Sequence, residues 1–390
     1  MNNLKRPNRP LLDKTIYYNF DVTKIYNYDE LLQSGIITNS SKPAFHIPDA
    51  YNNDLIVSSI VIKPNSKIYV TQNGITRKKM ITDAYGPLPF LEFTYEYTRD
   101  GSLHSVLALP VEYDDYHNLN CMTVDEKLSQ INKVQIFLNE KIGIEVNFSD
   151  LKYSYIEINN TFCLEHPFSE YVGRPLIFAR SLIPQSFYFN TDSKHRKTYS
   201  TSFSSGKTGV DVRIYDKSLQ LSQIHKIITD RSYTRFEITL KSSKKIKTIF
   251  NTTRVTEISQ EMINLYYQDF ITNAFIKPRA MYFEVTLPKL VRKIFKENYV
   301  PKSKTFLKGI LDTFNAREIQ TYTPELLDVR FLIDNLSTIR PKIDRKKQYV
   351  YRIRFEELCK DQKYIHFNGS DYLKYNEYLN NLSGGEKNEK

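Results

Sequence analysis

Three short stretches of the chain carry the residue types that attack on a phosphodiester requires. They are YSYIEIN at 153–159, VDVRIYDK at 210–217 and RFEITLK at 235–241. Apolar and polar residues alternate in each, which is typical of a half-buried strand with its polar side chains on one face. That shared face is predicted to hold Glu157, Arg213, Tyr215, Lys217, Arg235 and Glu237. Carboxylates, a tyrosine hydroxyl and cations gathered in this way predict metal-assisted attack on a phosphate.

The same alternation has a plainer interpretation. Any antiparallel sheet that is buried on one side shows alternating polar residues to water, whether or not it performs chemistry. On the pattern alone this is the commoner outcome. The choice therefore depends on the identity and the order of the motifs.

The three stretches, taken in order, resemble a motif set of plasmid rolling-circle replication initiators of the replication-initiation-factor type. In that family a strand of the form R-I-Y-N-K precedes one of the form R-V-E-I-E-L-K, as RIYDK precedes RFEITLK here. The upstream YIEINNTF is similar to the acidic strand that comes before both, and replication proteins of filamentous phages share a similar layout. The resemblance covers roughly residues 90–290, and only the three strands are specific.

The resemblance implies that Tyr215 attacks one DNA strand and forms a covalent 5′-phosphotyrosine. The free 3′-hydroxyl would prime synthesis, and the strands would later be rejoined. A tyrosine hydroxyl has an unperturbed pKa of about 10, so a metal or a cation must activate it. Lys217 is expected on the same strand face, where it would hold the phosphate or lower that pKa. Arg213 and Arg235 are expected to clamp phosphate oxygens.

Glu157 and Glu237 are the predicted metal ligands, and carboxylate ligands suit Mg²⁺ or Mn²⁺. Asp216 ranks below them, because it would point to the core side of an ideal strand. The chain has no His-x-His, the metal motif of the larger nickase superfamily. The replication-initiation-factor type does not need that motif, so its absence selects the subfamily. Gln220 stands near the place where the family strand often has a glutamate, and a metal ligand would be lost if that glutamate binds metal.

Short basic runs flank these strands and recur near the C-terminus. They are predicted to contact phosphates, although a solvated loop explains each run alone equally well. The residues concerned are Lys194, Arg196, Lys197, Lys244, Lys245, Arg345, Lys346 and Lys347. A second tyrosine could help to close a DNA circle, and nothing in the sequence selects among Tyr188, Tyr199 and Tyr233.

The elements around the motifs predict an α+β fold. Residues 90–111 read as a hairpin, and Thr123 with Glu126 forms a capping box that opens a helix ending at Gly143. A second helical stretch is expected around 168–182, and a helix at 256–275 with Ile258, Met262, Tyr266 and Phe270 on one face. The expectation is an open-faced, mostly antiparallel, ferredoxin-like sheet of the nickase type with helices on one face, which leaves the other face for a single DNA strand.

The predicted organisation has four parts. Residues 1–14 form a basic arm, 15–290 a catalytic domain, 291–382 a mostly helical region that is a candidate for origin binding, and 383–390 a flexible tail. The basic, tyrosine-containing run at 340–354 favours that role for the helical region, although it shows no helix-turn-helix spacing.

Composition limits the partners. The chain has 390 residues, and 55 basic against 44 acidic residues give a net charge of +11, which favours a polyanionic partner such as nucleic acid. Three cysteines without a CxxC pair indicate a reducing interior and argue against a thiolate zinc site. No apolar signal core or membrane span is seen, so a bacterial cytoplasmic protein without a membrane partner is expected.

The resemblance implies origin DNA, single-stranded or in a cruciform, as the main partner, with a host helicase and polymerase. Homodimer formation is open, as is the choice between a plasmid, a phage and an integrated element. Two other hypotheses remain. One is a non-catalytic protein that binds single-stranded nucleic acid on the same sheet through stacking aromatics. The other is a structural or interaction protein whose charge is incidental.

Overall fold

The computed structural model describes residues 9–40, 43–86, 92–110, 119–165, 187–189, 200–205, 209–229 and 231–277, together with Tyr349, Ile353, Glu377 and residues 380–383. Several predictions fall outside these residues. They concern the helix at 168–182, Tyr199, the basic residues Lys194, Arg196, Lys197, Arg345, Lys346 and Lys347, and nearly all of the helical region at 291–382.

Sixteen strands occur in the described ranges. They are β1 (Leu11–Tyr18), β2 (Asp21–Ile25), β3 (Ile37–Thr38), β4 (Phe45–Pro48), β5 (Asp54–Val57), β6 (Ser59–Ile62), β7 (Lys67–Gln72), β8 (Ile75–Met80), β9 (Glu92–Tyr97), β10 (Leu103–Leu109), β11 (Ile144–Asn147), β12 (Lys152–Cys163), β13 (Phe187–Phe189), β14 (Ser200–Ser205), β15 (Val210–Asp216) and β16 (Tyr233–Leu240).

Ten of these strands form one sheet in the order β13–β14–β15–β16–β12–β1–β10–β9–β6–β3. β15 pairs antiparallel with β14 and β16, β1 with β10 and β12, and β9 with β10 and β6. Three two-stranded sheets are formed by β2 with β11, β4 with β5, and β7 with β8. The predicted α+β fold with a mostly antiparallel sheet is confirmed.

The described α-helices are α1 (Tyr28–Ser34), α2 (Ile81–Tyr85), α3 (Val124–Phe137), α4 (Lys217–Gln220), α5 (Ser243–Phe250) and α6 (Gln260–Ile271). The predicted capping box opens α3, because Thr123 and Glu126 each accept the other's backbone N–H. A π-helical turn, Leu138–Ile142, continues α3 as far as Gly143, whose φ of +82° ends it. No helix in the described ranges is long and apolar enough to cross a membrane.

The three motif stretches form strands that are neighbours in the large sheet. The stretch at 153–159 lies in β12, residues 210–216 of the second stretch form β15, and residues 235–240 of the third lie in β16. The hairpin predicted at 90–111 is β9 with β10, and Gly101 in its turn has a φ of +81°. The alternation of apolar and polar residues therefore predicted these strands correctly.

The polar face of the sheet is not open along β16. All eight residues from Tyr233 to Leu240 are buried, so both faces of this strand are covered. The segment Leu119–Met122 contributes to the cover: Met122 pairs with Leu12 through two backbone hydrogen bonds, and the carbonyl of Leu119 accepts from Arg235. Burial of Arg235 and Glu237 is possible because each has hydrogen-bond partners within the protein.

The chain divides into two compact units, residues 1–162 with 187–267, and residues 163–186 with 268–390. The first contains the motif strands. In the second, the described residues include the π-helical turn Thr272–Ile276, the buried residues Ala274, Phe275 and Leu382, and a hydrogen bond of 2.9 Å from the Glu165 backbone to Glu377.

The N-terminal arm predicted at 1–14 differs from the structure. Residues 1–8 lie outside the described part, but β1 begins at Leu11, and its first residues are buried. Leu11 and Leu12 provide the apolar surface that holds this segment in the sheet.

Candidate active site

Tyr215 and Glu237 form the centre of the candidate site. β15 and β16 pair with Tyr215 opposite Arg235 and Arg213 opposite Glu237, so Tyr215 and Glu237 are diagonal neighbours on one face. The hydroxyl of Tyr215 donates a hydrogen bond of 2.5 Å to Glu237 Oε1. Both side chains are buried, and Tyr215 is 5% exposed. The carboxylate of Glu237 is therefore placed to accept the proton of the Tyr215 hydroxyl.

Burial shifts the titration of both groups. It raises the pKa of Tyr215 well above its ordinary value, and the charge of Glu237 raises it further. Burial likewise raises the pKa of Glu237, against the influence of Arg235, which lowers it. A carboxylate with a raised pKa is a better proton acceptor than an ordinary one. The hydroxyl keeps its proton until a reaction takes it.

Arg235 joins three strands and the covering segment. Its guanidinium is fully buried and donates from Nη1 to Asp13 at 3.1 Å, from Nε to Thr161 at 2.9 Å, and from Nη2 to the Leu119 carbonyl at 3.0 Å. The sequence predicted that Arg235 clamps phosphate oxygens. In the structure its donors are directed at acceptors within the protein instead.

Asp13 is a site residue that the sequence analysis missed. It lies in β1 where the pairing with β12 is irregular, between Leu12, which is opposite Ile158, and Thr15, which is opposite Ile156. This places it across from Glu157, and it is 7% exposed. The sequence does carry a sign of this residue, because Asp13 is a lone carboxylate inside the apolar run LLDKTIYY. A carboxylate buried among apolar residues needs a buried partner.

Glu157 lies among the other acidic groups of the site. It accepts a hydrogen bond from Tyr155, two residues earlier on the same face of β12. Burial, together with the charges of Asp13 and Glu237, raises the pKa of Glu157 to about 7, against the hydrogen bond from Tyr155 and the charge of Arg213, which lower it. The side chain of Arg213 is exposed. The structure thus brings Glu157, Glu237 and Arg213 close enough to influence one another, as the common face predicted.

Lys217 and Asp216 occupy positions that the sequence did not predict. β15 ends at Asp216, whose carboxylate caps α4 by accepting from the Leu219 backbone at 2.8 Å. Asp216 is therefore used in a local cap, away from the predicted metal-ligand role. Lys217 begins the helix rather than continuing the strand, yet it is fully buried, with Nζ 5.9 Å from the Tyr215 ring centroid.

Gln220 is the partner of Lys217. Lys217 Nζ donates to Gln220 Oε1 at 2.7 Å, one helical turn away. Burial, together with the nearby charge of Arg235, lowers the pKa of Lys217 to about 7. A glutamate at position 220 would favour the charged lysine, whereas the neutral amide leaves the lysine near its titration midpoint at neutral pH.

The remaining predicted residues lie in other elements. Lys244 and Lys245 are in the first turns of α5, exposed and half-buried respectively. Tyr233 is the first residue of β16 and is 1% exposed. Tyr188 lies in β13, where only the backbone is described.

The described residues contain no group of three or more His, Cys, Asp or Glu side chains arranged to hold a metal ion. A Mg²⁺ site, however, commonly uses one or two carboxylates and completes its shell with substrate phosphates and water. Glu157 and Glu237 fit that smaller requirement, since each raises the other's cost of ionisation and a divalent cation would relieve the repulsion.

The two titrations predict an unusual dependence of stability on pH. The pKa of Glu157 is about 7 in the folded state, against an ordinary 4.5. Between these two pH values the folded state binds more protons than the unfolded state, so stability falls as the pH rises from 4.5 to 7. Lys217 moves from 10.5 to about 7, so the unfolded state binds more protons above pH 7, and stability rises there. The melting temperature should therefore pass through a minimum near pH 7.

Melting curves between pH 5 and pH 9 check this prediction. Glu157→Gln should reduce the fall in melting temperature between pH 5 and pH 7. Lys217→Met should reduce the rise in melting temperature between pH 7 and pH 9. A wild-type melting temperature that rises steadily from pH 5 to pH 7 would contradict the burial of Glu157.

Comparison with known proteins adds little to this geometry. No protein-family model matches the chain, and no curated protein matches it. Among solved structures, it is similar to a rolling-circle replication initiator protein from Geobacillus stearothermophilus, with a TM-score of 0.28 and 8% identity, over 68% of this chain and 85% of that one. A TM-score this low does not establish a common fold.

Proposed function

We propose that this protein initiates rolling-circle replication by cutting one DNA strand with Tyr215. The observation that carries the proposal is the 2.5 Å hydrogen bond from the Tyr215 hydroxyl to Glu237, which pairs a nucleophile with a base on adjacent strands. The motif resemblance supplies the substrate class, since a tyrosine in this sequence context cuts DNA in that family. The net charge of +11 favours the same polyanion.

The proposed reaction exchanges one ester bond for another. Tyr215 Oη attacks phosphorus, the bond from tyrosine to phosphorus forms, and the bond from phosphorus to the 3′ oxygen breaks. The tyrosine proton passes to Glu237, and the departing 3′ oxygen takes up a proton and becomes a hydroxyl. The products are a 5′-phosphotyrosine and a 3′-hydroxyl primer, and attack by a 3′-hydroxyl on the phosphotyrosine reverses the step and rejoins strands.

Lys217 and Arg213 supply positive charge in this scheme. Protonated Lys217, near the Tyr215 ring, favours the phenolate and the developing charge on the phosphate. Arg213 is exposed on the neighbouring part of β15, where it can reach a phosphate without giving up a buried partner. Arg235 instead holds Asp13 and the covering segment in place.

Mg²⁺ or Mn²⁺ would be held by Glu157 and Glu237, and it would neutralise charge on the phosphate. The proposal predicts that Mn²⁺ raises the melting temperature of the wild type, since a ligand that binds only the folded state stabilises it. Glu157→Gln should lose most of this shift. The matched control is Glu96→Gln on β9, distant in the strand order, which should keep it. An equal Mn²⁺ shift in both variants would contradict metal binding at Glu157.

DNA can reach Tyr215 only if the cover opens. Tyr215 is 5% exposed. On the same face, Arg235 donates to the Leu119 carbonyl, and Met122 of the segment Leu119–Met122 pairs with Leu12. The proposed function therefore includes displacement of this segment when a single strand binds.

A second function is favoured by the same burial. A buried tyrosine with a pKa raised well above its ordinary value is also what a structural tyrosine shows. In that case the protein binds single-stranded nucleic acid without cutting it, and Gln220, which stands near the place where the family strand often has a glutamate, is the first residue to examine.

The test uses supercoiled DNA that carries the protein's own gene and flanking sequence. Purified protein is mixed with this DNA and Mg²⁺ or Mn²⁺, and the products are examined for nicked circles with protein attached. Nicked circles that carry protein support the proposed function. Binding without nicking at any metal concentration would favour the second function. Dimerisation and recruitment of a helicase and a polymerase are further proposals, which follow from the family resemblance.

A further inference from the structure

The hairpin of β7 and β8 is exposed to solvent along its outer half. Its two strands, Lys67–Gln72 and Ile75–Met80, form a separate two-stranded sheet. Every residue from 71 to 78 is exposed, so both faces of its outer half are in contact with solvent. A sheet segment that buries neither face adds no buried apolar surface and so does not stabilise the core.

The base of the hairpin is anchored and its tip is well defined. Ile68 and Ile81 are buried, and the Ile81 backbone donates to the Ser66 carbonyl at 2.8 Å, which closes the base. At the tip, Asn73 and Gly74 both have positive φ, 55° and 75°, as a tight two-residue hairpin turn requires. The hairpin is therefore a defined arm and has the form of a β-ribbon.

The charge of this ribbon is of one sign. Residues 64–82 contain Lys67, Arg77, Lys78 and Lys79 and no Asp or Glu. Cross-strand pairs share a face, so the register Tyr69 with Lys78 and Val70 with Arg77 places positive charge on both faces. Lys78 Nζ lies 5.3 Å from the centroid of the Tyr69 ring, which orients the ammonium group.

The tip carries a different set of side chains. Beyond the cations the ribbon presents neutral hydrogen-bonding groups, Thr71, Gln72, Asn73 and Thr76, and the exposed apolar side chain of Ile75. Amide side chains can read base edges, and an apolar side chain can contact a thymine methyl group. This arrangement matches a DNA groove, because the cations would meet the phosphates that line its sides and the neutral tip would meet the base edges at its bottom.

We propose that the β7–β8 ribbon enters the major groove of double-stranded DNA and holds the duplex. The major groove is about 12 Å wide and about 8.5 Å deep and admits a two-stranded ribbon. Six paired residues at about 3.4 Å each give roughly 20 Å of ribbon, enough to reach the groove floor while its base stays clear. Positive charge on both faces meets the phosphate walls on both sides.

Two other partners fit less well. Single-stranded nucleic acid is normally bound on stacking aromatics, and the outer half of the ribbon has none. An anionic membrane would need a broad apolar face, whereas the tip is mostly polar. The inference concerns duplex binding and does not require nicking; only the identification of the duplex as a replication origin depends on the proposed function.

The test compares two triple variants of the full chain. Arg77→Ala, Lys78→Ala and Lys79→Ala together remove charge from the ribbon. The control removes the same charge from surface lysines elsewhere, with Lys24→Ala, Lys133→Ala and Lys141→Ala. Binding to a 30-base-pair duplex is measured across a range of salt concentrations, and melting curves confirm that both variants fold.

The ribbon variant should bind about tenfold or more weakly near 0.1 M salt, and its salt dependence should fall by about 0.9 for each phosphate contact removed. The control should stay near wild type, and nicking of a short single-stranded DNA should be the same in all three proteins. Equal losses in the two variants, or unchanged duplex binding by the ribbon variant, would overturn the inference. So would equal competition by double-stranded RNA, whose major groove does not admit side chains. Duplex binding that depends on the ribbon in a wild type that never nicks would support the inference and reject the proposed function.

Discussion

Replacing Tyr215 with phenylalanine should abolish covalent attachment of the protein to DNA. The substitution removes one oxygen, and with it the only atom of this side chain that can form an ester with phosphorus. In a protease that also works through a covalent intermediate, loss of the nucleophile lowers the rate on the order of a millionfold. The expected result is no adduct, with DNA binding retained. The measurement is the amount of covalent protein–DNA adduct that each protein forms on supercoiled DNA.

A matched control is present on the neighbouring strand β12. Tyr155 donates a hydrogen bond to Glu157 as Tyr215 does to Glu237, so Tyr155→Phe removes the same type of contact from the same face. This variant should still form the adduct. If Tyr155→Phe also abolishes attachment, the loss reflects disruption of the buried cluster. If Tyr215→Phe still forms the adduct, another tyrosine is the nucleophile.

Replacing Arg235 with methionine should destabilise the protein by about 3–5 kcal/mol. The change removes the buried cation that pairs with Asp13 and leaves a carboxylate without its compensating charge, and breaking one side of a buried pair has a cost of this size. It also removes donors from Thr161 and from the Leu119 carbonyl. Urea unfolding followed by circular dichroism measures the change.

Arg213→Met is the matched control, because Arg213 is an exposed arginine on the adjacent strand. It should change stability by about 0.5 kcal/mol or less. Adding Asp13→Leu to Arg235→Met should recover part of the loss, since an apolar pair can replace a buried ion pair. Equal effects of Arg235→Met and Arg213→Met would contradict the buried role of Arg235.

The sequence predicted the strands well because alternation reports which face of a strand is buried. β12, β15 and β16, the β9–β10 hairpin and the capping box of α3 follow from local patterns alone. Asp13 could not be found in this way. It comes close to Arg235 only through the strand order, in which β12 lies between β16 and β1, and strand order is a property of the whole fold.

Two further differences have local causes. Asp216 caps a helix, and a short polar side chain that can accept a backbone N–H ends a strand as readily as it continues one. In α6 the sequence analysis singled out the face with Met262 and Tyr266, whereas the buried residues of this helix include Ile263 and Tyr267. Two apolar series run side by side along this helix, and only tertiary packing decides which one faces the core.

The most direct test of the central claim is to identify the residue that carries the DNA. Wild-type protein is trapped on DNA labelled on the 3′ side of the cut, in the strand whose 5′ phosphate becomes attached to the protein. The adduct is then digested with protease and nuclease and analysed by mass spectrometry. The account predicts that the residual nucleotide is attached to the peptide containing Tyr215, through its side-chain oxygen. A nucleotide attached to any other tyrosine, with Tyr215 unmodified, would contradict it.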